Sequence, residues 1–160
     1  MIKVTILAVG KLKEKYFTDA CNEYIKRLGR FCKLNVVEVE PTKISDNPSE
    51  REIENCIQQE GERILNKIPS DAFVTAMCIE GDMKDSETLS SDIMKSAVLG
   101  KSNQFFIIGG SYGLSPQVKS RADKKLSMSR MTFPHKLARV MLLEQIYRAF
   151  MISEAGTYHK

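Results

Sequence analysis

Phe105-Phe106-Ile107-Ile108-Gly109-Gly110-Ser111-Tyr112-Gly113 is an apolar, strand-like run that ends in a glycine-rich turn. Glycines at the end of such a strand let the backbone approach a ligand closely and adopt positive φ angles. A second turn, Ser127-Met128-Ser129-Arg130-Met131-Thr132-Phe133-Pro134-His135, follows after a short segment. Two loops at one edge of a sheet can form one concave ligand site. We therefore expect the chemistry of the chain to lie in its last third.

Strands and helices alternate through the part of the chain that precedes this region. Apolar runs predict strands at residues 1–10, 34–39, 73–79 and 104–108, and the polar turn Glu80-Gly81-Asp82 is expected to close the third. Helical spacing predicts a helix from Leu12 that Gly29 ends, one after the capping box of Ser49 and Glu52, and one capped by Asp85 or Ser86. This alternation predicts an α/β fold with a mostly parallel sheet flanked by helices, and a single domain over residues 1–160.

The pattern changes after residue 113. Between Leu114 and Leu126 there is room only for a short helix near residues 115–121. From Pro134 onward the spacing predicts a helix that is apolar on most sides, and such a helix must be covered on most sides. In a chain of this size a second copy of the chain is the expected cover, so we predict a two-fold homodimer.

Composition bounds the class of protein. The chain has 160 residues, of which 42% are hydrophobic and 28% are charged, as is usual for a soluble globular domain. The first apolar segment is too short to span a membrane and lacks the features of a signal peptide, so a cytoplasmic location and no membrane partner are expected. The cysteines are spread singly, and only two histidines are present, so no metal site is expected; the cysteines are Cys21, Cys32, Cys56 and Cys78.

Positive charge is concentrated in the last third of the chain. Residues 101–160 contain ten lysines and arginines but only three acidic residues. Such a segment can meet the phosphates of a nucleic acid, and it can equally be a solvated surface. Charge alone leaves both interpretations open.

The common catalytic motifs are missing from the sequence. No dinucleotide-binding GxGxxG or phosphate-binding GxxxxGK[ST] pattern occurs, and no GxSxG, HExxH or paired-carboxylate pattern indicates a hydrolase. His135 follows Pro134 at the predicted start of the last helix. Arg148 lies within that helix, four residues after its obvious ion-pair partner Glu144.

Five sequence blocks together resemble the RlmH family, and the similarity covers essentially the whole chain in order and length. Members of this family are bacterial SPOUT-class methyltransferases that methylate N3 of a pseudouridine in 23S ribosomal RNA. The blocks are Ile6-Leu7-Ala8-Val9-Gly10-Lys11, Ile108-Gly109-Gly110-Ser111-Tyr112-Gly113-Leu114, Leu126-Ser127-Met128-Ser129-Arg130-Met131-Thr132-Phe133-Pro134-His135, Glu144-Gln145-Ile146-Tyr147-Arg148-Ala149-Phe150 and Tyr158-His159-Lys160.

The resemblance implies a SPOUT-type fold with a deep trefoil knot near the C-terminus, a homodimer, and S-adenosyl-L-methionine as the cofactor. It implies 23S rRNA within the assembled ribosome as the substrate. A net charge of +4 is small for a protein that must bind bare RNA, which agrees with a ribosomal substrate.

The resemblance also implies roles for individual residues. The residues expected to contact the cofactor are Met77, Gly109, Gly110, Met128, Ser129, Arg130, Met131, Thr132 and Phe133. The residues expected to line the RNA side of the site are His135, Arg148, Tyr158 and His159, with the C-terminal tail of one subunit completing the site of the other. Family members often carry Leu-Asp at the end of the third strand, where this chain has Met77-Cys78.

A methyltransferase of this kind must position its reactants and accommodate the proton on N3. His135 or His159 could accept that proton, and the sequence does not choose between them; Arg148 could stabilise the resulting anion. The alternative function is a non-catalytic nucleotide- or RNA-binding module that keeps the same fold.

Overall fold

The computed structural model describes the backbone of residues 1–158 and the side chains of residues 1–156. Five strands and five helices alternate within this range. In chain order they are β1 (Lys3–Val9), α1 (Lys15–Leu28), β2 (Lys33–Val39), α2 (Glu50–Leu65), β3 (Phe73–Met83), α3 (Ser86–Val98), β4 (Asn103–Ile108), α4 (Pro116–Arg121), β5 (Lys124–Ser127) and α5 (His135–Tyr158).

The strands form one sheet in the order β2-β1-β4-β3-β5. Every pairing in this sheet is parallel, which confirms the predicted α/β fold with a parallel sheet flanked by helices. Because the strands run in the same direction, their carboxyl ends meet at one edge of the sheet. The loops after β1, β4 and β5 therefore all emerge at that carboxyl edge.

Helices cover both faces of the sheet, and successive strand residues point alternately into the two hydrophobic cores between the sheet and the helices. Ile6 and Phe106 point to the face covered by α1, α3 and α5, where Leu142 and Ile146 of α5 are fully buried. Leu7 and the other intervening residues face α2 and α4. The last helix therefore lies in the middle of one core and fixes the loop that precedes it.

The helix starts follow the sequence signals. The Ser49 hydroxyl accepts a hydrogen bond from the backbone N–H of Glu52 at 3.2 Å, as the capping box predicts. Asp85 is the cap of α3, because its carboxylate accepts from the N–H of Thr88 at 2.7 Å. Both local predictions are confirmed.

Two predictions about the sheet are wrong. The Glu80-Gly81-Asp82 segment is not a closing turn: β3 continues to Met83, with a register shift between Met77 and Asp82. The segment 114–126 holds more than a short helix, because it ends in the edge strand β5, which pairs with β3. A bulged strand and a four-residue strand give almost no periodic signal, so pairing with neighbours determines both.

The deep trefoil knot and the single domain over residues 1–160 stay predictions. No helix within residues 1–158 has both the length and the apolar character needed to cross a membrane.

Gly81 is required where β3 resumes its pairing, because a Cβ there would lie 2.7 Å from the backbone N and C of Leu126. We expect Gly81→Ala to lower the free energy of unfolding by about 1–3 kcal/mol, since backbone atoms must move to relieve the overlap. Gly156→Ala is the matched control. A Cβ on Gly156 meets nothing within 4 Å, so alanine should stabilise α5 by up to about 1 kcal/mol. Urea denaturation measures both, and equal effects of the two changes would contradict the prediction.

Candidate active site

A cavity of about 860 Å³ lies at the carboxyl edge of the sheet. Its walls come from the end of β3, the loop between β4 and α4, the loop between β5 and α5, and the first turn of α5. Eight of the nine residues expected to contact the cofactor line it, namely Met77, Gly109, Gly110, Met128, Ser129, Met131, Thr132 and Phe133. Arg130, the ninth, is exposed and does not belong to the wall.

The turn after β4 is held by a close approach of the chain to itself. A Cβ on Gly109 would lie 2.7 Å from the carbonyl carbon of Gly113, so a side chain at Gly109 cannot be accommodated. The N–H of Gly113 donates to the carbonyl oxygen of Gly110 at 3.1 Å, and Gly113 has a φ of 85°. The positive φ expected in this turn therefore occurs at Gly113, while Gly109 permits the backbone contact.

Glu60 supports this turn from behind. Its side chain is buried, and its carboxylate accepts a hydrogen bond from the N–H of Thr42 at 3.0 Å. A Cβ on Gly110 would lie 3.0 Å from the other carboxylate oxygen of Glu60. Sequence reasoning missed Glu60, because nothing in the pattern of α2 distinguishes this acidic residue from its exposed neighbours.

The loop between β5 and α5 is ordered by its own serines. The Ser127 hydroxyl donates to the carbonyl oxygen of Ser129 at 3.0 Å, and the Ser129 hydroxyl accepts from the N–H of Met131 at 3.0 Å. These bonds hold a tight turn whose backbone and apolar side chains form one wall of the cavity.

His135 begins α5 and faces the cavity. Burial lowers the pKa of its imidazole below the usual 6.5, and the positive charges of Lys136 and Arg139 lower it further, against a smaller opposing effect of Glu14. At neutral pH the imidazole is therefore uncharged and able to accept a proton.

Arg139, one turn further along α5, attaches this helix to the sheet. Its Nη1 contacts a carboxylate oxygen of Glu38 at 2.7 Å, and its Nη2 donates to the carbonyl oxygen of Gly10 at 3.0 Å. The residue is only 4% exposed, and its Nε is buried with no hydrogen-bond partner among the described residues. The first turn of α5 is thus fixed to the carboxyl ends of β1 and β2.

An ion pair between Glu80 and Lys119 forms another part of the wall. The hydrogen bond between Lys119 and the Glu80 carboxyl lowers the pKa of that carboxyl. Cys78 also lines the cavity, where burial raises the pKa of its thiol and keeps it protonated at neutral pH. Sequence reasoning missed Glu80 and Lys119, because they lie on separate elements and no local spacing relates them.

The cavity suits a nucleoside-sized cofactor with both apolar and polar parts. Its volume lies within the range of small-molecule sites, and its wall combines Met77, Met128 and Phe133 with backbone groups of two loops. Gly109 and Gly110 add no side chains to that wall, which leaves backbone N–H and C=O groups accessible. The residues present therefore fit S-adenosylmethionine. Among the described residues, no three His, Cys, Asp or Glu side chains converge as metal ligands.

Of the other residues expected on the RNA side, only the side chain of Arg148 falls within the described residues, and it lies away from the cavity. Arg148 is exposed and forms an ion pair with Glu144, as the spacing predicts. Because each helical residue advances about 1.5 Å, Arg148 lies about 20 Å from His135 along α5. Tyr158 is the last residue of α5, and His159 lies outside the described residues. Among the described side chains, that of His135 lies at the cavity and that of Arg148 does not.

The burial of Arg139 predicts a specific loss of stability. We expect Arg139→Met to lower the free energy of unfolding by about 3 kcal/mol, because Glu38 would lose its partner in a largely buried contact. Arg148→Met is the control: the exposed Arg148–Glu144 pair should contribute about 0.5 kcal/mol or less. Chemical denaturation compares the two, and an Arg139 variant no less stable than the Arg148 variant would contradict this account of α5.

Comparisons with known proteins agree with this arrangement. A family profile described as "Predicted SPOUT methyltransferase" matches residues 2–159. The chain is 52% identical over 159 residues to a Clostridium beijerinckii protein named ribosomal RNA large subunit methyltransferase H, covering 99% of this chain and 100% of that one. A Clostridium kluyveri protein of the same name is 50% identical over the same length, with the same coverage.

Solved structures with a related fold come from more distant proteins. A putative methylase family protein from Neisseria gonorrhoeae superposes with a TM-score of 0.53 at 13% identity, covering 91% of this chain and 81% of that one. A probable methylase family protein from Haemophilus influenzae gives a TM-score of 0.52 at 11% identity, covering 96% of this chain and 68% of that one. At these identities the likeness concerns the fold alone.

Proposed function

This chain belongs to the SPOUT methyltransferase family, as a member of the ribosomal RNA large subunit methyltransferase H group, and on that premise we propose that it methylates 23S rRNA with S-adenosylmethionine as donor. The target atom is N3 of a pseudouridine, and the substrate is the ribosome in the cytoplasm. The observation that carries the proposal is the cavity itself, whose wall holds eight of the nine residues that the family pattern assigns to the cofactor.

The chain's own groups supply orientation and a proton acceptor. When bound, S-adenosylmethionine supplies an electrophilic methyl group. Backbone groups of the turn at residues 109–113 and of the loop at residues 127–133 would hold the cofactor in the cavity that His135 also lines. Holding two reactants in the productive geometry can contribute up to about 7–11 kcal/mol to lowering the barrier.

His135 is the residue that we assign to the N3 proton. It faces the cavity, and its lowered pKa keeps the imidazole neutral at the pH of the cell. His135 would take the proton from N3 and would thereby leave the N3 electron pair free to accept the methyl group. His159 is the alternative base.

We further propose a homodimer whose contact runs along α5. Leu137 and Met151 are exposed on one face of this helix, and Arg148 lies on the same face. Because Arg148 and Tyr158 lie far along α5 from their own cavity, a partner subunit is the source from which they can reach His135. A two-fold axis would then complete both sites at once.

The substrate is tested with labelled S-adenosylmethionine and four acceptors: intact ribosomes, isolated large subunits, naked 23S rRNA and transfer RNA. We expect methyl transfer to particles that contain assembled 23S rRNA, with the label at N3 of a pseudouridine, and little transfer to naked RNA. Cofactor binding measured by calorimetry without transfer to any acceptor would favour the non-catalytic binding module instead. Efficient labelling of transfer RNA would contradict the proposed substrate.

The pH dependence tests His135. In the wild type, the single-turnover rate should rise as the pH increases through the lowered pKa of His135 and level off at a lower pH than an ordinary imidazole would give, because only the neutral imidazole accepts a proton. His135→Ala should slow the reaction by about 10²-fold or more and remove this rise. Proper folding of the variant is checked by its affinity for the cofactor. If the rise persists in His135→Ala and disappears in His159→Ala, the base is His159.

The α5 contact is tested by oligomeric state. Leu137→Glu combined with Met151→Glu should convert the dimer into a monomer and reduce methyl transfer, because two charges would be buried in the contact. Val98→Glu is the matched control, since Val98 is 86% exposed at the end of α3. Light scattering after size exclusion gives the mass. A dimer that persists in the double variant would place the contact elsewhere.

A further inference from the structure

Two segments beside the cavity carry most of the local positive charge. The loop after β1, residues 10–14, contains Lys11, Lys13 and Glu14. Residues 128–139, which include the first turn of α5, contain Arg130, Lys136 and Arg139 and no acidic residue. Of these five cations, Lys11, Lys13 and Arg130 are exposed, whereas Arg139 is buried and Lys136 is paired with Glu14. We call these two segments the basic rim.

The two segments of the basic rim are joined at both ends of the first loop. The Gly10 carbonyl oxygen accepts a hydrogen bond from Arg139 at 3.0 Å. Both carboxylate oxygens of Glu14 lie 2.9 Å from Nζ of Lys136. Lys11 and Lys13 lie between these two contacts, so their loop is fixed against the turn of α5 that holds His135 at the cavity.

The carboxylates of this region form ion pairs with Lys136 and Arg139, and neither of them pairs with the two lysines of the loop. Glu14 is paired with Lys136, and Glu38 is paired with Arg139. Lys11 and Lys13 are exposed, and among the described residues no carboxylate lies within ion-pair distance of either. Two unneutralised ammonium groups on a fixed loop are suited to an external polyanion.

We propose that Lys11 and Lys13 bind backbone phosphates of the ribosomal RNA next to the target nucleotide, with the exposed Arg130 adding to the positive potential. This inference rests on the proposed function, since it names the RNA contact of the same site. The geometry favours RNA over an acidic protein, because the rim borders the cavity where the base must enter. Phosphates flank every nucleotide, so a base at His135 brings phosphates to the rim.

Salt dependence distinguishes a phosphate contact from a structural role. Each neutralised phosphate of a single strand contributes about 0.7 to the slope of log affinity against log salt. The double variant Lys11→Gln/Lys13→Gln should therefore reduce the slope of log(kcat/KM) for ribosomes by about 1.4, and reduce kcat/KM at low salt at least tenfold. The value of kcat at saturating ribosomes and the affinity for S-adenosylmethionine should stay at wild-type levels.

Lys67→Gln/Lys95→Gln is the matched control, because it removes the same charge at the opposite edge of the sheet. Lys67 follows the end of α2 and Lys95 lies in the last turn of α3, and both are exposed. This variant should retain the wild-type salt slope. If both double variants lost the same amount of salt slope, net charge alone would explain the effect, and the proposed role of the basic rim would be wrong.

Other outcomes separate the basic rim from the proposed function. Cosedimentation with ribosomes over the same salt range measures RNA contact without methyl transfer, so the rim is tested even if the wild type proves inactive. If the wild type is inactive but the salt slope of its cosedimentation depends on Lys11 and Lys13, the methyltransferase proposal is wrong and the basic rim stands. A monomeric Lys11→Gln/Lys13→Gln variant would show that the loop is a subunit contact and would overturn the rim.

Discussion

The site depends on two places where one backbone segment approaches another so closely that only glycine fits. A Cβ on Gly109 would lie 2.7 Å from backbone of Gly113, and a Cβ on Gly81 would lie 2.7 Å from backbone of Leu126, so neither position accommodates a side chain. The first contact shapes the turn after β4, and the second lets β3 resume its pairing with β5. The turn after β4 lines the cavity, and so does Glu80 next to Gly81, so backbone contacts shape the chain at or beside both parts of the wall.

The last helix, α5, holds His135 in a fixed position at the cavity. Leu142 and Ile146 bury the middle of α5 in the core, which gives the helix its place on the sheet. Arg139 then fixes its first turn to the ends of β1 and β2, at the cost of desolvating a guanidinium whose Nε has no partner. Apolar packing thus holds the helix, while the buried ion pair specifies how its first turn faces the cavity.

The parallel α/β fold and the two loops of the cavity could be predicted from the sequence because both depend on local patterns, whereas the individual cofactor residues followed from the family resemblance. Apolar strands, glycine turns and the caps of α2 and α3 are encoded by neighbouring residues. β5 could not be found in this way, since Lys124-Lys125-Leu126-Ser127 is short and mostly polar and becomes a strand only by pairing with β3. The Glu80–Lys119 pair was missed for the same reason, as its partners meet only in the folded chain.

The cations around His135 serve two purposes that pull in opposite directions. Lys136 and Arg139 help to lower the pKa of His135, and a phosphate bound beside them would weaken this effect by offsetting their charge. Burial, however, is the largest cause of the lowered pKa, and a nucleotide covering the cavity excludes more water from the imidazole. In the proposed complex the dominant cause would be strengthened while a lesser one would be weakened, so the pKa of His135 would stay lowered. The proposed phosphate contact is therefore compatible with the proposed role of His135 as an uncharged base.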